Sequence, residues 1–123
     1  MTRPKTAYWL SVVYTICLVG GGLNHWRDIW RGGWLPYRAA PLSINWYWSS
    51  LAVIDLIAAA LLFLHTRAGV ILTLAVIVSD VAVNSYAVYV LEYNSWQAFA
   101  SLQLQTAFLG FVLSSFLFVW QLT

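Results

Sequence analysis

From Ala68 to Leu91 the chain runs for about seven helical turns with a single charged side chain, Asp80. That length suits the ~20 residues a helix needs to cross a ~30 Å hydrocarbon core. Asp80 and Asn84 fall near its middle, four residues apart and so on one helix face. A carboxyl in such a place costs at least ~2.5 kcal/mol and faces a bundle interior or a water-filled cavity. Whatever this chain folds into must bring polar groups to that face.

Three other stretches have the same character: residues 8–24, 48–64 and 97–120. The chain is 62% hydrophobic and 8% charged, against about 25% charged in soluble domains, which excludes a water-soluble fold. His65-Thr66-Arg67 and Glu92-Tyr93-Asn94-Ser95 are too short to do more than turn the chain back, so neighbouring spans are antiparallel. The expected fold is an all-α membrane protein, a compact antiparallel bundle of four transmembrane helices forming one domain over residues 1–123. Arg3 and Lys5 before the first span resemble the start of a signal peptide. No small-residue cleavage pattern follows, however, because Gly20-Gly21-Gly22 leads into Asn24-His25-Trp26, so the span is expected to be retained. A formal charge of +2 with no dense basic patch argues against nucleic acid as a partner.

Residues 25–47 form the one long connection. Trp26, Trp30 and Trp34 recur every four residues with Arg27 and Arg31 between them, the pattern of an interfacial amphipathic helix. Gly32-Gly33 and Pro36 should break it. Trp26, Trp30, Trp34, Trp46, Trp48 and Trp96 share this membrane face, and only Trp9 and Trp120 serve the other. The loop is either an anchor or a lid over an opening into the bundle. Arginine and lysine counts tie between the faces (Arg3, Lys5 and Arg67 against Arg27, Arg31 and Arg38); cytoplasmic termini are expected because Arg3 and Lys5 flank the first span. Ala100, Gln103, Ala107, Gly110 and Ser114, and in the second span Ala52 and Ala58-Ala59-Ala60, are expected to mark packing faces. Gly20-Gly21-Gly22 either packs closely or loosens the helix.

Depth brings the polar residues together. Asp55 lies about 10 Å below Trp48, Asp80 and Asn84 about 16 and 10 Å below Leu91, and Gln103 and Gln105 about 9 and 12 Å below Gln97. Asn24 and His25 end the first span on the same side. The half-membrane beneath the tryptophan loop is therefore polar and the other half apolar. With no Lys or Arg in the spans, Asp55 and Asp80 cannot easily both be ionised, and at least one is expected to carry a proton near neutral pH and donate to Asn84 or Gln103. In an enzyme these two would be the catalytic acid and base. Asn84, Gln103, His25, Asn24, Gln105 and Trp48 would contact the ligand. His25 and Asp28 could pair at the mouth. His65 is at the opposite end, no metal or cofactor motif occurs, and Cys17 reads as a packing residue.

The run from Leu23-Asn24-His25 through Pro41, Asn45-Trp46-Tyr47-Trp48-Ser49-Ser50-Leu51 and Asp55 to Arg67-Ala68-Gly69 and Ser79-Asp80-Val81-Ala82-Val83-Asn84 resembles small four-span bacterial integral membrane proteins. More distantly, the layout is similar to the EXPERA group of sterol isomerases and sigma-2-type receptors. That resemblance implies a histidine near the end of the first span, a long first loop, and acids facing a lipid-binding cavity. The chain lacks the group's glutamates and third-span histidine.

Two functions are consistent with these features. One is a half-membrane polar pocket for a lipid-like or small amphipathic ligand, with proton-transfer chemistry of an isomerase kind if it is catalytic. The other is a non-enzymatic accessory or immunity-type subunit that binds another membrane protein through its aromatic face. Membrane lipids and a second copy of the chain are further expected partners, and the bacterial inner membrane is the expected location.

Overall fold

The computed structural model describes residues 5–123. Among them the chain is purely helical, with α1 at Lys5–Gly32, α2 at Leu42–Leu64, α3 at Thr66–Tyr89 and α4 at Trp96–Gln121. All four helices are long and apolar enough to cross a membrane, and the architecture is that of a multi-pass membrane protein. Each helix packs on its neighbour in sequence, and α1 closes the ring onto α4. That closure centres on Tyr14, which is fully buried, hydrogen-bonds Ser115 and meets the rings of Phe108 and Phe111 edge-on. Arg3, counted above among the flanking charges, lies outside the described residues.

The first connection differs from the expected 25–47 loop. No separate interfacial helix follows residue 24; α1 continues unbroken through Asn24, His25, Trp26, Asp28 and Trp30 to Gly32. The glycine run does not loosen it, because Gly21 and Gly22 lie against Asp55 and Leu56 of α2. The helix ends where a glycine can leave it. Gly33 takes φ +80° and its N–H bonds the Ile29 carbonyl at 2.8 Å, a left-handed C-terminal cap. With 28 residues, α1 is about 42 Å long, so its last turns extend past a ~30 Å hydrocarbon layer. Helix α2 starts at Leu42, directly after Pro41, which leaves only residues 33–41 as loop and makes Asn45, Tyr47 and Trp48 helical.

The other turns are as short as expected. His65 alone separates α2 from α3, and the helices leave it nearly in contact: a Cβ on Gly69 would sit 2.5 Å from the Leu62 nitrogen. Ser95 caps α4 by accepting from the Ala98 N–H at 3.1 Å. The small residues of α2 are buried at Ala52, Ala58 and Ala59. Those of α4 are not. Gln103, Ala107, Gly110 and Ser114 are exposed, and a Cβ on Gly110 would meet nothing within 4 Å. The reason is rotational: Leu102, Val112 and Val119, the buried residues of α4, lie on the opposite side of the helix from that stripe.

Candidate functional site

Tyr47, Leu51 and Asp55 follow one another at intervals of four along α2, on one face. That face meets α3 at Ser79, Asp80 and Asn84, and the polar groups fall into three tiers. In the deepest, Asp55 and Asp80 are 4% and 8% exposed and close enough for their charges to interact. The Tyr47 hydroxyl donates to Asp80 Oδ1 at 2.8 Å and stands 2.6 Å from Ser79 Oγ, which in turn lies 2.9 Å from the Val76 carbonyl. Asp55 has no such company: its Oδ1 is buried without a hydrogen-bond partner among the described residues. Its Oδ2 faces Gly21, where a Cβ would come within 3.1 Å. The glycine of α1 thus lets the helix backbone come close to the carboxyl, where a methyl group would be crowded.

In the middle tier, Trp48 Nε1 donates to Asn84 Oδ1 at 2.7 Å, and Asn84 Nδ2 donates to Gln105 Oε1 at 2.6 Å. These two bonds join α2, α3 and α4.

The outer tier fastens the loop. The Tyr37 hydroxyl donates to Asp28 Oδ2 at 2.7 Å and lies 2.8 Å from His25 Nδ1. Tyr37 has one hydrogen to give, so the His25 ring meets it through Nδ1–H. Burial first, and then the Asp28 carboxylate, push the Tyr37 phenol far above its ordinary pKa, so it remains a donor. Asn45, 4% exposed, accepts from the Tyr37 N–H at 3.1 Å and donates to the Leu35 carbonyl at 3.0 Å. Tyr93 reaches from the α3–α4 turn to the Ala39 carbonyl. Trp26 Nε1 donates to the Ala52 carbonyl at 2.7 Å, and Trp34 packs edge-on against Trp26. With so many ties, the loop is a fastened cap.

Of the residues expected at the site, Asp55, Asp80, Asn84, Gln105, Trp48 and His25 come together in these tiers. Gln103 and Asn24 do not. Gln103 is exposed on the outer side of α4, and Asn24 is exposed and accepts from Arg27 Nη2 at 2.6 Å. Neither aspartate pairs with Asn84 or Gln103; Asp80 pairs with Tyr47, and the Asn84 amide is already held between Trp48 and Gln105. His25 and Asp28 do meet, but through Tyr37. Sequence reasoning missed Tyr47, Ser79, Tyr37, Asn45 and Gly21 as members. For Tyr47 the signal was present in its eight-residue spacing from Asp55. No group of three or more His, Cys, Asp or Glu able to hold a metal occurs among the described residues. Comparison with family models, curated proteins and solved structures gives no match to this chain.

Proposed function

We propose that this protein binds a small amphipathic or lipid-like molecule in the polar half of its bundle, with the molecule's polar group against Asp55 and Asp80. The observation that carries the reading is the buried, unpartnered Oδ1 of Asp55. Leaving a buried polar atom unpaired costs about 1–3 kcal/mol, and a hydrogen-bond donor on a ligand would remove that penalty.

The hydrogens in the Asp80 cluster support a division of roles. The contacts from Asp80 to Tyr47, Tyr47 to Ser79 and Ser79 to the Val76 carbonyl are three in series. Tyr47 and Ser79 have two hydrogens between them. The Tyr47 hydrogen goes to Asp80 Oδ1 and the Ser79 hydrogen is left to serve either Tyr47 or the Val76 carbonyl, so Asp80 is held as an acceptor by a donor that Asp55 lacks. If the bound molecule is turned over, one carboxyl gives it a proton and the other takes one away, so the pair exchanges protonation states in each turnover. The bacterial inner membrane, with cytoplasmic termini, is the location that goes with this reading.

Native mass spectrometry of the protein purified in mild detergent tests the proposal. A co-purifying small molecule is expected, lost in Asp55→Asn and Asp80→Asn while circular dichroism stays unchanged. Bare protein in every sample overturns it. A second reading, docking to another membrane protein, is favoured by the 91% and 81% exposure of Trp30 and Trp96. It requires a hetero-complex on pull-down that Trp30→Ala weakens and Asp80→Asn leaves intact.

A further inference from the structure

The loop carries a second feature, separate from the two aspartates. Trp34, Leu35, Arg38, Ala40, Leu42 and Asn45 line a shallow groove of about 370 Å³. Much of its wall is apolar and open, with Trp34 73% and Leu42 65% exposed. Arg38 forms part of the lining, steadied by a 3.0 Å bond from Nη2 to the Gly32 carbonyl. A guanidinium has five N–H donors, and that bond uses one of them. Its partner is a neutral oxygen, so the positive charge is left uncancelled. Arg27 likewise bonds the neutral Asn24 Oδ1, while the Asp28 carboxylate is held by Tyr37. On this face Arg27, Arg31 and Arg38 stand against only Asp28 and Glu92. The groove's shape is enforced: Leu35 is held at φ +53°, a left-handed conformation unusual for a side-chain-bearing residue, and buried Asn45 grips its carbonyl.

We propose that this groove binds a phospholipid, with the phosphodiester on the Arg38 guanidinium and the first carbons of an acyl chain along Trp34, Leu35 and Leu42. A guanidinium matches two phosphate oxygens in a planar fork, which an ammonium does not. The level also fits, because the loop follows the turns by which α1 extends past the hydrocarbon layer. The apolar wall beside the cation selects a molecule with both a phosphate and a hydrocarbon tail.

The test titrates the detergent-solubilised chain with phosphatidylglycerol and with diacylglycerol of the same acyl chains, and reads the retained lipid by native mass spectrometry. Phosphatidylglycerol is expected to be held and diacylglycerol lost. Arg38→Gln should weaken retention about tenfold, the scale of one charge-assisted hydrogen bond. Arg67→Gln on the opposite face and Asp55→Asn in the bundle should leave it unchanged, which separates this site from the pocket proposed above. Equal retention of the two lipids, or equal loss in Arg38→Gln and Arg67→Gln, overturns the proposal. If Arg38→Gln fails to fold because the Gly32 carbonyl loses its partner, Leu42→Ser decides. That change alters an exposed wall without touching the Arg38 bond, and undiminished retention in it overturns the proposal.

Discussion

Asp55 and Asp80 have similar burial and opposite company: one lies against a glycine, the other takes a hydrogen bond from a tyrosine that also meets a serine. The difference makes their substitutions unequal. Asp80→Asn keeps an acceptor for the Tyr47 hydroxyl in its amide oxygen, so unfolding in detergent should show a change within about 0.5 kcal/mol. Tyr47→Phe leaves Asp80 and Ser79 without their shared partner and should cost about 1–3 kcal/mol. If Asp80→Asn proves the more damaging of the two, the Tyr47 hydroxyl is not what holds Asp80 in place. Much of this was readable in advance, because depth along an apolar span is simple arithmetic: Asp55, Asp80, Asn84, Trp48 and Gln105 assemble where rise per residue puts them. Tyr37 and Asn45 were not readable. Their meeting depends on the path of residues 33–41, including a left-handed Leu35 that no propensity favours.

Rotation about each helix axis settles what depth leaves open. Gln103 and Gln105 sit at similar depth but about 200° apart around α4, so only one can face Asn84, and Gln105 does. The same rotation turns the Ala107–Gly110–Ser114 stripe outward with Gln103. Small residues along a helix therefore mark a close approach only where a neighbour exists to approach. Two glycines test this. Gly69→Ala pushes a methyl into the backbone of Leu61 and Leu62 and should destabilise by several kcal/mol or separate α2 from α3. Gly110→Ala meets open space and should be neutral or stabilising by up to about 1 kcal/mol, the helix-propensity difference. Thermal unfolding of both variants in one detergent compares them directly, and similar losses would mean that α4 is turned differently. The length of α1 was the main misreading at this scale. Three consecutive glycines and a tryptophan stripe suggest a break, yet glycines packed on Asp55 and Leu56 keep helical bonds as well as alanines would, and no proline intervenes before Pro36.

For the molecule as a whole, four spans in alternating directions put the turns at Thr66 and Ser95 on opposite sides of the membrane. With Cys17 replaced by Ser, Thr66→Cys and Ser95→Cys should differ in sealed vesicles: a membrane-impermeant thiol reagent labels one from outside and reaches the other only after permeabilisation. Labelling of both from outside would break the four-span topology. The surplus length of α1 has a further consequence. Its final turns carry Arg27, Asp28 and the tie to Tyr37, and they clear the hydrocarbon only when the bilayer is close to 30 Å thick. In lipids with longer tails the acyl layer would rise over these charges, and the protein would have to tilt or thin the membrane around itself. Bilayer thickness is thus a physical variable to which this fold is sensitive at the end that holds its polar groups.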